Sequence, residues 1–178
     1  MRLPTPLPAL WAAAAVMTTP ASAQTRCLTS MEAEAIVQVA LPEVIRSAGR
    51  VCAALPAASL LRRPSSDFLT RYDAEADRAW PSARTALGKL TDPQLAPLLQ
   101  SNLARPLVTS LVAPQVTGQI QPADCPTLDR LVTLLEPLPA RNTAGIVVAT
   151  LQYLKSEKNK GKRTDIPDLP VCPAGAAR

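Results

Sequence analysis

The sequence contains no histidine, and this absence removes most of the familiar catalytic chemistries. Ser-His-Asp and Cys-His catalysis, histidine-ligated metal sites and the usual near-neutral general base all require an imidazole. The four cysteines include no C-x-x-C pair, and no glycine-rich phosphate loop is present. An enzyme built on this chain would have to use carboxylates, Tyr, Lys or Arg. We therefore expect no cofactor and no metal, and we favour a protein that is not an enzyme.

Concentrated charge and aromatic residues are also scarce. The formal net charge is +5, and aromatic residues make up only 3% of the chain. A mildly basic chain of this kind is not typical of a dedicated nucleic-acid binder, so we expect no nucleic-acid partner. Beyond the N-terminal segment, no stretch is long, apolar and proline-free enough to predict a transmembrane helix.

The N-terminal residues have the pattern of a secretory signal peptide. Arg2 supplies the positive charge, Leu7 to Met17 is a short apolar run, and Ala21-Ser22-Ala23 is an A-x-A cleavage site. We predict cleavage after Ala23, which lowers the formal net charge from +5 to +4. The mature chain would be periplasmic or secreted, and its alanine- and arginine-rich composition favours the bacterial periplasm.

The stretch from Asp92 to Gln121 is predicted to be the central helix of the fold. Between Pro93 and Ala123 it carries one charge, Arg105. Its large apolar residues recur mostly every four positions, which places them on one helical face. A helix with so little charge is usually covered by other helices. Three prolines predict bends, or a break between Ala104 and Pro106.

Three further helices are predicted around this stretch. The first opens with a capping box at Thr29 to Glu32, and the second starts near Ser66 or Asp67 with an alanine-rich core face. The fourth begins at Asp124 or Cys125 and restarts after a proline interruption at Asn142 or Thr143. The predicted fold is all-α: an up-down four-helix bundle with proline-kinked helices. The domain organisation would be a signal peptide (1–23), a helical domain (24–156) and a basic, proline-rich tail (157–178).

The four cysteines predict two disulfides in an oxidising compartment. A first helix running from Thr29 to Ala54 would be about 39 Å long, so Cys27 and Cys52 would lie too far apart to be bridged. In an up-down bundle, Cys52 and Cys125 meet at one end, and the tail carries Cys172 back to Cys27. We therefore predict the pairs Cys52–Cys125 and Cys27–Cys172.

Two groups of charged residues are candidate binding sites. Asp73 and Asp77 are one helical turn apart and could share a proton or a hard cation, although a solvated helix face is the simpler interpretation. Arg46 and Arg50 could clamp a carboxylate or a phosphate, although an exposed charged row is again simpler. Tyr72 and Trp80 could line an apolar pocket, but core packing is favoured for both.

A run of basic residues from the end of the helical domain into the tail could touch an anionic surface or an envelope protein, although a solvated segment is favoured. These residues are Lys155, Lys158, Lys160, Lys162 and Arg163. The leading functional hypothesis is a non-enzymatic binding or interaction module of the bacterial envelope. One alternative is a carboxylate-dependent glycan hydrolase that uses Asp73 and Asp77. The other is a secreted inhibitor or effector.

Overall fold

The computed structural model describes residues 27–164 and 170–172, and in these residues the fold is all-helical with two disulfides. The predicted signal peptide and its cleavage site lie outside the described residues. Three short 3₁₀ turns connect the helices, at Leu60–Arg62, Pro93–Leu95 and Pro122–Asp124. The α-helices are α1 (Ser30–Val51), α2 (Asp67–Leu90), α3 (Ala96–Leu99), α4 (Ala104–Thr117), α5 (Cys125–Leu135) and α6 (Ala140–Asn159).

Helix α1 lies at the centre of the fold, because α2, α4 and α6 all pack against it. Its first turn is fixed by the predicted capping box. The Glu32 N–H donates to Thr29 Oγ1, and the Thr29 N–H donates to the Glu32 carboxylate at 3.0 Å. Buried residues then occupy several sides of the helix, as expected for an element surrounded by others. They include Ala33, Ala35, Val39, Ala40, Ile45 and Ala48.

Helix α2 packs along α1 through alanines, as its sequence predicted. Ala76, Ala83 and Ala86 are fully buried, and small side chains allow the two backbones to approach closely. The Ser66 hydroxyl caps the first turn by accepting from the Leu69 N–H. Pro81 lies inside α2, which continues past it to Leu90.

The prediction that Asp92 to Gln121 forms the central, covered helix is wrong, and the predicted break between Ala104 and Pro106 falls a few residues earlier. The segment is divided into a 3₁₀ turn, the four-residue α3 and the longer α4, with the break before Ala104. Its leucines are mostly exposed: Leu95, Leu98, Leu103, Leu107 and Leu111 are each about half exposed or more. The residues of α4 that reach the core are small ones, Ala104, Ala113 and Thr117.

The two disulfides join Cys27 to Cys172 and Cys52 to Cys125, which are the pairs predicted from the sequence. Each lies at one end of α1, since Cys27 precedes its N-cap and Cys52 is its C-cap. The C-terminal segment runs beside Leu28. The Leu28 N–H donates to the Pro170 carbonyl at 2.7 Å, and the Cys172 N–H donates to the Leu28 carbonyl at 2.8 Å. Residues 170–172 are thereby attached to the start of α1.

Candidate interaction surface

The two carboxylates of the candidate acidic pair have separate partners. Asp73 forms an ion pair with Arg46 of α1, and Asp77 forms one with Arg105 of α4. Each carboxylate therefore has its own guanidinium partner on a different helix. This arrangement joins α2 to its neighbours and does not present two acids to one substrate or cation.

The predicted arginine clamp is likewise divided between two partners. Arg46 reaches across to Asp73, whereas Arg50 donates to the Glu43 carboxylate of its own helix at 2.8 Å. A bidentate anion site needs donors that converge on one point. The two guanidinium groups are instead each engaged with a carboxylate.

Tyr72 belongs to the core, as favoured from the sequence. It is 1% exposed, and its hydroxyl hydrogen bonds to Thr143 Oγ1 at 2.7 Å. Burial raises the pKa of Tyr72. Its ring packs on Phe68 with the ring centroids 4.3 Å apart. Trp80 is half-buried and packs against the cluster formed by Ala35, Val39 and Ala83.

The basic run near the C-terminus is largely engaged within the chain. Lys160 and Lys162 both pair with the buried carboxylate of Glu157, and their hydrogen bonds, that of Lys162 first, lower the pKa of Glu157. Lys155 donates to the Val171 carbonyl at 3.1 Å. These cations support the last turn of α6 and the returning C-terminal segment, which reduces what they can offer to an anionic surface.

An open groove of about 1140 Å³ lies between α1, α2 and the start of α6. Charged groups of both signs line it, among them Glu34, Glu75, Arg78 and Arg141. Glu75 accepts a hydrogen bond from the Arg141 N–H at 3.2 Å and so satisfies a donor in the first turn of α6. Neither Asp73 nor Asp77 lines this groove. The groove could not be predicted from the sequence because its walls come from three separate helices.

Helix α4 presents small side chains inward and large apolar side chains outward. Ala104, Ala113 and Thr117 are buried, and Thr117 Oγ1 hydrogen bonds to Ser47 Oγ of α1 at 3.0 Å. The opposite side is exposed and consists of residues spaced by three and four, hence neighbours on one helical face. We call this side the α4 outer face; its residues are Leu103, Pro106, Leu107, Ser110, Leu111 and Pro114.

The α4 outer face carries no charge. Arg105 is turned away from it and pairs with Asp77 of α2. The one hydroxyl on the face, Ser110 Oγ, already donates to the Leu107 carbonyl at 2.9 Å. Burying this face would therefore desolvate few polar groups, which lowers the free-energy cost of contact with a partner.

The exposed leucines of the outer face need an explanation. Leu103, Leu107 and Leu111 are 67%, 50% and 70% exposed. Single exposed leucines are ordinary, but a contiguous apolar patch on a folded domain usually marks an interaction surface. The sequence signal was present, since the four-residue leucine step is unmistakable. Hydropathy alone could not decide whether the row of leucines faced the core or the solvent.

No group of His, Cys, Asp and Glu within residues 27–164 and 170–172 is arranged to hold a metal ion. No helix in that part of the chain is both long and apolar enough to cross a membrane. Two disulfides are consistent with an extracellular or otherwise oxidising compartment. Comparisons with protein-family models, with curated proteins and with solved structures found no match to this chain.

Proposed function

We propose that this chain is a non-enzymatic interaction module of the bacterial cell envelope, and that it docks through the α4 outer face. The observation that carries the proposal is the exposure of Leu103, Leu107 and Leu111 on a helix whose small residues fill the core. An apolar row without charge suits a protein partner better than a soluble metabolite, whose polar groups it could not pair.

Export is part of this proposal and rests on the sequence of the first 23 residues. The two disulfides are consistent with it, because such bonds persist in oxidising compartments. The exported protein should begin at Gln24, and its intact mass would test this directly. A mature product that still contains Trp11 would contradict cleavage after Ala23.

We also propose that the long helical segments run up and down in turn, as in an up-down bundle. The support for this order is that the two disulfide pairs are the ones this order requires. If the order is right, the segments 30–51, 67–90, 92–121 and 125–159 run alternately in opposite directions. An experimental structure of the mature chain would test it.

Site-specific photo-crosslinking in the periplasm would test the docking surface. A photoreactive residue would replace Leu107 or Leu111, and in a control strain it would replace Ile146, which is 50% exposed on α6, the same as Leu107. We expect discrete adducts from positions 107 and 111 and none from position 146. Adducts that are absent at every position, or equal at all three, would count against an interaction role for this face.

The alternative hydrolase is tested by replacing Asp73 and Asp77 together with Asn. Because the ion pairs with Arg46 and Arg105 are partly exposed, each contributes about 0.2–1 kcal/mol. We expect a decrease in unfolding free energy of at most about 2 kcal/mol by urea denaturation, with unchanged crosslinks from position 107. A glycan-cleaving activity of the unsubstituted protein that disappears in this variant would support the alternative instead.

A further inference from the structure

The composition of the α4 outer face and its surroundings indicates what kind of partner it fits. Between Pro93 and Ala123 the only charged residue is Arg105, which is held by Asp77. A cationic or anionic partner would therefore find no complementary charge here. A membrane surface is disfavoured as well, because interfacial helices carry Lys and Arg beside their apolar face.

None of these arguments applies to a second copy of the same chain. An uncharged face opposes no like charges when it docks onto itself. The exposed polar residues at both ends of α4 are amides, which both donate and accept hydrogen bonds and can pair with the same residues of another copy. These amides are Gln100, Asn102, Gln115 and Gln119.

The size of the face is that of a weak dimer interface. The three leucines, with Pro106 and Pro114 beside them, expose an apolar area on the order of 400 Å², in the range where surface patches are often functional. Two copies that bury this face would remove about 800 Å² from solvent in total, which is at the low end, where weak and transient interfaces lie.

We propose that the α4 outer face is a homodimer interface, in which two copies pack α4 against α4 about a two-fold axis close to Leu107. This inference rests on the proposed function and names its partner. In such an isologous contact, Leu107 meets Leu107 of the other copy, and Leu103 meets Leu111 in both directions. Rows of residues spaced by four interdigitate at a crossing angle of about −50°, which is the commonest geometry for helix pairs.

Sedimentation velocity on the mature, disulfide-intact chain would test the dimer. We expect a reversible, concentration-dependent dimer in the micromolar range. Leu107→Glu should raise its Kd by about tenfold or more, because each dimer then brings two carboxylates together. Ile146→Glu is the matched control on α6 and should leave Kd unchanged. Circular dichroism would verify that both variants fold, and Leu111→Glu, at a more exposed position, would replace Leu107→Glu if that variant does not.

Charge-swapped copies would show that the partner is the chain itself. Leu107→Glu and Leu107→Lys should each be monomeric alone and should dimerise when mixed, because the two-fold axis brings opposite charges together. A mixture that stays monomeric, an unsubstituted chain that is monomeric at every concentration, or a dimer indifferent to position 107 would overturn the proposal.

Failure of the dimer and failure of the proposed function would be distinguishable. If the purified chain is monomeric but position 107 crosslinks to a different protein in the periplasm, the homodimer is wrong and the interaction role stands. If position 107 gives no adduct and the chain is monomeric, both fail. An adduct with twice the mass of the mature chain supports both.

Discussion

Polar side chains in this protein divide into those with local partners and those with distant ones. The capping box of Thr29 and Glu32 could be predicted because helix geometry fixes which residues three apart can meet. Asp73 could not be assigned its partner, because Arg46 lies 27 residues away on another helix. Asp73, Asp77 and Arg46, for which a solvated face was the simpler interpretation, form ion pairs between helices, whereas Arg50 pairs within α1. The packing of α2 and α4 against α1 determines the pairs between helices.

Replacing Glu32 with Gln should remove a pH-dependent part of the stability. Lys89 and then the Thr29 N–H hold the pKa of Glu32 below its ordinary value of 4.5. A carboxyl group with a lowered folded-state pKa adds stability above its unfolded-state pKa and loses it as pH falls through the folded-state value. The variant should thus be less stable than the parent near neutral pH, with the difference shrinking below about pH 4.5.

Urea denaturation of both proteins at pH 7 and at pH 3 would measure this. Glu34→Gln, two residues further along α1, is the control and should show no comparable change. A difference between parent and Glu32→Gln that is equal at the two pH values would mean that the pairing with Lys89 and Thr29 does not stabilise the fold through the charge of Glu32.

At the scale of elements, the starts of helices were more predictable than their inward faces. The predicted starts near Ser66 and at Cys125 are those of α2 and α5, because capping and first-turn preferences are local. Helix α6 begins at Ala140, two residues before the predicted restart at Asn142. The break in 92–121 falls before Ala104 and not before Pro106. Pro106 is tolerated in the first turn of α4, where its missing N–H would have no partner within the helix.

The orientation of α4 was missed for a different reason. Its sequence contains a row of leucines and a row of small residues, and its single charged residue, Arg105, does not distinguish the buried side from the exposed side. The periodicity was therefore correct and the choice of face was not. Close contact with α1, including the Ser47–Thr117 hydrogen bond, favours the small residues inward and leaves the leucines outside.

Two glycines should respond to alanine in opposite directions. Gly49 lies where α1 meets the Leu60–Arg62 turn, and a Cβ there would overlap the Leu61 carbonyl oxygen. Because the obstacle is backbone, Gly49→Ala should destabilise the fold by about 1–3 kcal/mol or more. Gly88 is exposed within α2 and has open space around it, so Gly88→Ala should stabilise the fold by up to about 1 kcal/mol.

Thermal and urea unfolding of the two glycine variants would provide the comparison. Each serves as the control for the other, because the chemical change is identical and only the surroundings differ. A neutral or stabilising Gly49→Ala would contradict the close approach of the 3₁₀ turn to α1.

At the scale of the whole molecule, the two disulfides attach peripheral segments to the two ends of α1. Cys52, the C-cap of α1, is bonded to Cys125, the first residue of α5, and Cys27 is bonded to Cys172. Both bonds close long loops, with sequence separations of 73 and 145 residues. The chain-entropy model gives each a contribution of about 4–5 kcal/mol. Their structural consequences should nevertheless differ, because the segments that they hold have different additional contacts.

We expect helix α5 to depend strongly on its disulfide. Its further contacts are the hydrogen bonds that Asp129 accepts from the Ser59 hydroxyl and the Leu61 N–H, one from the Tyr72 hydroxyl to the Leu135 carbonyl, and the packing of the half-buried Leu128 and Val132 on the core. Most of its residues are exposed, and Cys125 is the only one that is fully buried. Since few apolar contacts remain without the disulfide, Cys52→Ala with Cys125→Ala should let α5 open at a much lower free energy than α1 or α2.

Removing the other disulfide should have a more confined effect. Cys27→Ala with Cys172→Ala releases the segment that pairs with Leu28, so the Leu28 amide should exchange rapidly while α5 keeps its protection. Hydrogen exchange followed by mass spectrometry would compare peptides from α5, α2 and residues 27–31 in both double variants and the parent. If α5 stays as protected as α2 without Cys52–Cys125, the Asp129 contacts and the turn hold it without help from the cross-link. The bond would then stabilise the fold only by lowering the conformational entropy of the unfolded chain.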